Sequence, residues 1–292
     1  MSPSARCLLP AFSLICVHYL AADGFRPNLG PDLQRIEVTC GDVTLLLRQA
    51  SQWTPGRIDF RSTPMTTERS AYGTVFSFPE TGFIGTNHLE NEPEELTRLT
   101  FFLDGKKVPA STNLNGQTFR LERESRIRTL SLKGMIELKG NRLYETATVS
   151  TDEDTPQKLL YHFMHAWVPT VSHFLAGSDG TPDKIISGAL TDSEETMRKF
   201  YIQKAVDWIA VYDSASGQFG VSRLLEAPAE AGNISMIWNV PPTYRKYYLK
   251  CFQNDTIPAG FNGTWRMVTA FGESDLEDWE AAATKLAAEL QE

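Results

Sequence analysis

Residues 119–169, FRLERESRIRTLSLKGMIELKGNRLYETATVSTDEDTPQKLLYHFMHAWVP, alternate apolar and polar side chains almost throughout. A period of two sends successive side chains to opposite faces of an extended chain. A run like this therefore builds a sheet with one face in a core, not a helix. Lys-Gly and Gly-Asn pairs break it into at least three antiparallel strands. Runs of the same kind recur at 35–48 (RIEVTCGDVTLLLR, turning at Cys40-Gly41-Asp42), 74–79, and 96–108 with an Asp104-Gly105 hairpin signal. Later ones are VDWIAVYD (206–213), FGVSRLLE (219–226), SMIWNV (235–240), YRKYYLKCF (244–252) and GTWRMVTAF (263–271). Strands at this spacing, with no helical periodicity between them, predict an all-β chain folded as a large antiparallel β-sandwich.

Two segments break the pattern. DSEETMRKFYIQ (192–203) has room for a helical turn. SDLEDWEAAATKLAAELQE, from Ser274, predicts a C-terminal helix over 275–290. Ser274 as N-cap with Glu277 three residues on forms a capping box, and Leu276, Trp279, Leu286 and Leu290 fall near one face. No internal repeat and no linker divides the chain, so residues 23–292 read as a single domain. Its 292 residues are enough to bury a core without a disulfide or a metal.

The first 22 residues read as a secretory signal peptide: one Arg at position 6, the apolar run CLLPAFSLICVHYLAA, then polar Asp23-Gly24. The run is too short and too interrupted, by Pro10 and His18, to span a membrane. The mature protein is expected to be secreted or periplasmic, with no transmembrane segment. Export leaves Cys40 and Cys251, which either clasp the two ends of the domain or stay as buried thiols. Asn233-Ile-Ser, Asn254-Asp-Thr and Asn262-Gly-Thr match the glycosylation acceptor pattern. A net charge of −8 argues against nucleic acid as a partner. Gly-x-Ser-x-Gly, P-loop, dinucleotide and His-Glu-x-x-His motifs are all missing from the sequence, which argues against the common hydrolase, NTPase, nicotinamide and zincin chemistries.

Three segments carry residues able to do chemistry. In GFIGTNHLENEPEE (82–95), His88, Glu90 and Glu92 share one side of an extended chain. They suit acid/base work on a sugar; the alternatives are a divalent cation held by the three or a solvated loop. No other cofactor is expected. In LLYHFMHAWVPT (159–170), His162 and His165 point to opposite faces of a strand, and His165 shares its face with Trp167. An imidazole beside an indole suits a sugar, the ring stacking on C–H faces while the imidazole moves protons. His173 reads as a loop residue. PPTYRKYYLK (241–250) gathers Tyr244, Arg245, Lys246, Tyr247 and Tyr248, groups that bind carboxylates and stack on sugars. RLERESRIR (120–128) reads as an exposed strand face, with Arg123 or Arg126 available to line a groove.

Residues 141–169, NRLYETATVSTDEDTPQKLLYHFMHAWVP, resemble the middle of the galactose-mutarotase-like superfamily. That resemblance implies a β-supersandwich whose concave face binds sugars, in a group that includes aldose epimerases and domains of polysaccharide lyases and glycoside hydrolases. It matches His165 or His162 to an acid histidine and His88 to a histidine of an earlier loop. Where epimerases have His-Gly-Gly, this chain has His88-Leu89-Glu90. The combined expectation is a protein that binds or acts on a sugar or polysaccharide. His88, His162, His165 and Tyr244 would be catalytic, and Glu90, Glu92, Trp167, Arg245 and Lys246 would bind substrate. The reaction would be epimerase-like or lyase-like. The competing reading is a glycan-binding or cell-envelope module without turnover.

Overall fold

The computed structural model describes residues 35–291 apart from 71, 87, 89, 90 and 193–199. The expected leader and most of the expected helical turn at 192–203 lie outside the described residues. The strands build three principal sheets. The first runs β4 (Thr63–Pro64), β3 (Pro55–Phe60), β2 (Val43–Arg48), β1 (Arg35–Cys40) and β9 (Asn113–Gly116), with β9 joining β1 in parallel. The second has ten strands. In order these are β16 (Ile186–Ala189), β15 (Val171–Gly177), β18 (Trp208–Asp213), β19 (Gln218–Glu226), β23 (Asn262–Glu273), β12 (Arg142–Ser150), β11 (Leu130–Lys139), β10 (Thr118–Ile127), β7 (Glu95–Leu103) and β8 (Lys106–Val108). The third has six: β17 (Phe200–Lys204), β20 (Ile234–Val240), β21 (Tyr244–Cys251), β14 (Leu159–Trp167), β5 (Tyr72–Phe78) and β6 (Gly82–Gly85). A short ladder pairs β13 (Thr155–Gln157) with β22 (Asp255–Ile257).

One core is shared by the three sheets. Val38 and Leu45 enter it from the first, Leu121, Val149 and Met267 from the second, and Phe76, Leu160 and Leu249 from the third. The chain is thus an all-β, largely antiparallel sandwich with one C-terminal helix among the described residues. The hairpin signals act as read. Gly41-Asp42 turns β1 into β2, and Asp104-Gly105 turns β7 into β8 with φ of 49° and 76°. Gly140-Asn141 turns β11 into β12, also with both φ positive. Lys133-Gly134 does not break its strand. Gly134 sits inside β11 opposite Arg123, and a Cβ there would lie 2.9 Å from the arginine's Cγ. Two expectations are corrected: residues 200–203 belong to β17, and His173 lies on β15.

The helix α1 (Trp279–Glu289) starts later than expected and without the capping box. Ser274 cannot act as N-cap because its backbone is already used. Its N–H donates to Gly217 O, and its C=O accepts from the Tyr212 hydroxyl. Asp278 takes the N-cap position, and Leu276 is left 51% exposed. The face that packs is Trp279, Ala283, Ala287 and Leu290, laid on Tyr212, Phe219 and Val268 of the second sheet's outer side. The two alanines let the helix sit close to the sheet. Arg223 ties down its last turn by donating from Nη1 to Ala287 O at 3.1 Å while pairing with Asp179. Arg223→Met is expected to cost about 1 kcal/mol, the worth of one side-chain bond to a carbonyl that still accepts from the Leu290 N–H. The readout is thermal unfolding, with near-ultraviolet circular dichroism reporting release of Trp279.

Cys40 and Cys251 are unpaired thiols, both buried, so no clasp joins the ends of the domain. Asn233 is a core anchor. Its Oδ1 accepts from Trp265 Nε1 at 2.7 Å and from the Cys251 thiol at 3.2 Å, and its Nδ2 donates to Pro228 O. A glycan on Nδ2 there would compete with the bond to Pro228 O, whereas Asn254 and Asn262 are exposed. No helix among the described residues is long and apolar enough to cross a membrane.

Candidate functional site

β14 decides which groups can work together. Against β21 its register slips by one residue between His162 and His165, and Phe163 takes φ +54°. This is a β-bulge, with one extra residue accommodated by a left-handed backbone turn. The extra residue reverses the in–out alternation. His162 and His165 therefore face the same side, the inter-sheet core, contrary to the expectation of opposite faces. Tyr161, Met164 and Ala166 take the outer side.

The interior side is closed. The His162 ring lies 4.4 Å from that of Trp265, and its Nδ1 is 3.1 Å from the Thr74 hydroxyl. Burial pushes its pKa down to about 3, so the ring is neutral. His165 Nε2 pairs with Glu145 at 2.8 Å, both buried between the sheets. Trp167 is buried too. Its indole lies on Gly220, where a Cβ would fall 2.4 Å from the ring, and beside Phe271. Arg245 donates from Nε to Val171 O at 3.0 Å and pairs with Asp192 and Asn239. The Asp192 carboxyl is held below its usual range by its bonds from Arg245 and Asn239. These four residues are packing and network groups here, and none of them lies beside His88.

The outer side of the same sheet collects a different set. In β21 the alternation is regular, so Tyr244, Lys246 and Tyr248 point outward while Arg245 and Tyr247 point inward. Lys246 stands opposite Trp238 of β20 and Ala166 of β14. Its Nζ is 5.0 Å from the ring centre of Tyr248, 5.2 Å from that of Tyr161 and 5.4 Å from that of Trp238. Burial among these rings lowers its pKa to about 8 and raises that of Tyr248 to about 12. His88, bridged to Gly85 at the end of β6, brings Nε2 to 3.2 Å from the Tyr161 hydroxyl. Phe83 stacks on the His88 ring at 5.1 Å and is 37% exposed. Phe200, 42% exposed, extends the face beside Trp238.

Of the residues singled out in the sequence, His88, Tyr244 and Lys246 therefore share this face. Glu92 is engaged elsewhere. Arg128 takes both its carboxylate oxygens, and that bond holds its pKa down. Glu90 lies outside the described residues. No group of three His, Cys, Asp or Glu side chains suited to a metal occurs among the described residues. Tyr161, Trp238 and Phe83 belong to this face too, though nothing in the sequence singles them out. The signal for the face itself is Tyr244-x-Lys246-x-Tyr248, since residues two apart in a strand share a face.

A concavity of about 610 Å³ lies on the second sheet's outer side, with Glu95, Thr97, Glu124, Arg126, Thr148 and Thr264 among its lining. No ring lines it, and Glu124 is already paired with Arg98. It lacks the stacking groups of the first face.

No protein-family model matches the chain, and no curated protein does. Solved structures resemble it in architecture. A galactose mutarotase related enzyme from Lactobacillus acidophilus is 7% identical, over 82% of this chain and 98% of its own, at a TM-score of 0.45. A Glycoside Hydrolase Family 97 enzyme from Pseudoalteromonas sp. strain K8 is 8% identical over 82% of this chain and 36% of its own, at 0.48. Heparan sulfate lyase from Pedobacter heparinus is 6% identical over 80% of this chain and 33% of its own, at 0.43. The resemblance to galactose-mutarotase-like proteins is a weak one.

Proposed function

We propose that this chain handles carbohydrate on the outer face of its six-stranded sheet, with His88 and Tyr161 as its acid/base pair. The observation that carries the reading is the convergence of Tyr161, Tyr248 and Trp238 around Lys246, with His88 within bonding distance of the Tyr161 hydroxyl. Aromatic faces stack on the C–H faces of a pyranose, and the polar tips around them bond its hydroxyls. An imidazole within bonding distance of a phenol hydroxyl provides a route for a proton to or from the sugar.

The test is affinity-gel retardation by a panel of neutral and acidic polysaccharides. Optical rotation of fresh aldose solutions, reducing ends and the absorbance of unsaturated products are followed in parallel. Trp238→Ala is expected to weaken retardation about tenfold, the loss typical of one stacked ring (~1–1.5 kcal/mol). His88→Ala is expected to abolish turnover while leaving retardation in place. Retardation with none of the three signals would reject the acid/base assignment and leave a binding module. No retardation by any polymer would reject the carbohydrate reading. The chain is further proposed to act outside the cytoplasm, its first 22 residues removed; the N-terminal residue of the protein recovered from the medium or periplasm tests this.

A further inference from the structure

Two needs on the outer face of the six-stranded sheet go unmet among the described residues. Lys246 is an ammonium half-buried among rings, and among the described residues no carboxylate pairs with it. Three ring faces surround it instead. Ring quadrupoles attract a cation but do not neutralise it, and an unpaired buried charge is costly. On the strand paired with it, the Trp238 Nε1–H is buried with no acceptor among the described residues. Other buried side-chain polar atoms also lack a partner among the described residues, Trp167 Nε1 and His162 Nε2 among them, but Trp238 Nε1 is the one on this face. Three buried guanidiniums have carboxylate partners, Arg123 with Glu94, Arg223 with Asp179 and Arg245 with Asp192, and the buried Lys250 ammonium donates to Gln253 Oε1. Among the described residues Lys246 has neither kind of partner, on the face where the stacking rings converge.

We infer that the sugar bound on this face is an acidic one, its anionic oxygens pairing with Lys246 and accepting from the Trp238 indole. The inference rests on the carbohydrate reading above and narrows it to a substrate class. The chemistry common to the candidates is a pyranose bearing a carboxylate or a sulfate ester. Overall charge does not favour such a ligand, because the chain carries −8 and repels polyanions at long range. Preference for an acidic polymer must come from a local contact. The same contact explains why an ammonium is kept among the rings, since a bound anion returns the stabilisation that burial removes.

Matched polymers separate these effects. Polygalacturonate is compared with its methyl ester, and dextran sulfate with dextran, by retardation of the purified chain in affinity gels at fixed salt. At least one acidic member is expected to bind about tenfold or more tightly than its neutral counterpart, the gain typical of a desolvated charge pair. Whether the first or the second pair shows the difference identifies the anion as carboxylate or sulfate. Lys246→Met, which keeps the apolar stem among the rings, is expected to erase the preference while retaining the weaker neutral binding. The preference is also expected to fade as pH rises above about 8, where the free Lys246 gives up its proton. Since burial disfavours the charged form, Lys246→Met should melt no lower than the native chain at pH 7, which excludes misfolding as the cause. Equal binding of both members of each pair, unchanged in Lys246→Met, overturns the inference and leaves carbohydrate binding standing. Absence of binding to all four polymers overturns the carbohydrate reading together with it.

Discussion

Arg123→Met is expected to destabilise the chain by about 3–5 kcal/mol, the cost of stranding a buried carboxylate. Arg123 points inward from β10 and donates from Nη2 to Glu94 at 2.7 Å and to Gln52 Oε1 at 3.0 Å. Both charged side chains are buried, and Gly134 on the neighbouring strand leaves the space the arginine stem occupies. With the guanidinium gone, the Glu94 carboxylate retains only the Ser125 hydroxyl. For a chain of this size the loss is on the order of a 10 °C fall in melting temperature. A second change identifies the cause. Arg123→Met combined with Glu94→Gln removes the stranded charge and is expected to recover most of the loss, because a buried ion pair replaced as a unit costs little. Thermal and urea unfolding of the two single variants and the double provide the cycle. If the Arg123→Met single variant loses less than about 1 kcal/mol, Glu94 is not a stranded charge and this account of the interior fails.

His162→Phe is expected to flatten the fall in stability between pH 6.5 and pH 4.5. Burial holds the native pKa near 3, against 6.5 for the exposed ring. As pH drops below 6.5 the unfolded chain takes up a proton that the native chain refuses. Stability therefore falls with pH through this group until pH approaches 3. Two pH units of that window correspond to about 2.5 kcal/mol. Phenylalanine keeps the contact with Trp265 and gives up the bond to Thr74, at about 1 kcal/mol near pH 7. The two chains' stability curves are expected to converge and cross as the solution is acidified. Urea midpoints at half-unit intervals from pH 7.5 to 4.5 test this. Parallel curves over that range would mean that His162 takes up its proton in the native state.

The site was partly legible in the sequence. Tyr244 and Lys246 stand out as part of one aromatic and cationic run, and the regular alternation of β21 keeps the two on one face. Arg245 was grouped with them by adjacency, yet adjacency in a strand means opposite faces, and it turned inward to Asp192. His162 and His165 were misplaced for another reason. Their relative orientation depends on the bulge at Phe163, and no residue there favours a positive φ by its own chemistry. The β21 partner imposes it. Segment 120–128 reads as an exposed strand face with Arg123 or Arg126 available to line a groove, while the burial of Arg123 depends on a glutamate 29 residues away.

Local chemistry alone determined the strands, the hairpin turns at Gly41, Gly105 and Gly140, the all-β class and the existence of a terminal helix. These follow from side-chain period and backbone preference within a few residues. Tertiary structure decided the rest: where α1 begins, which thiols and acids are buried, and which rings surround Lys246. Each of these depends on a register or a contact between strands far apart in the chain, and only the closed sandwich supplies the partner.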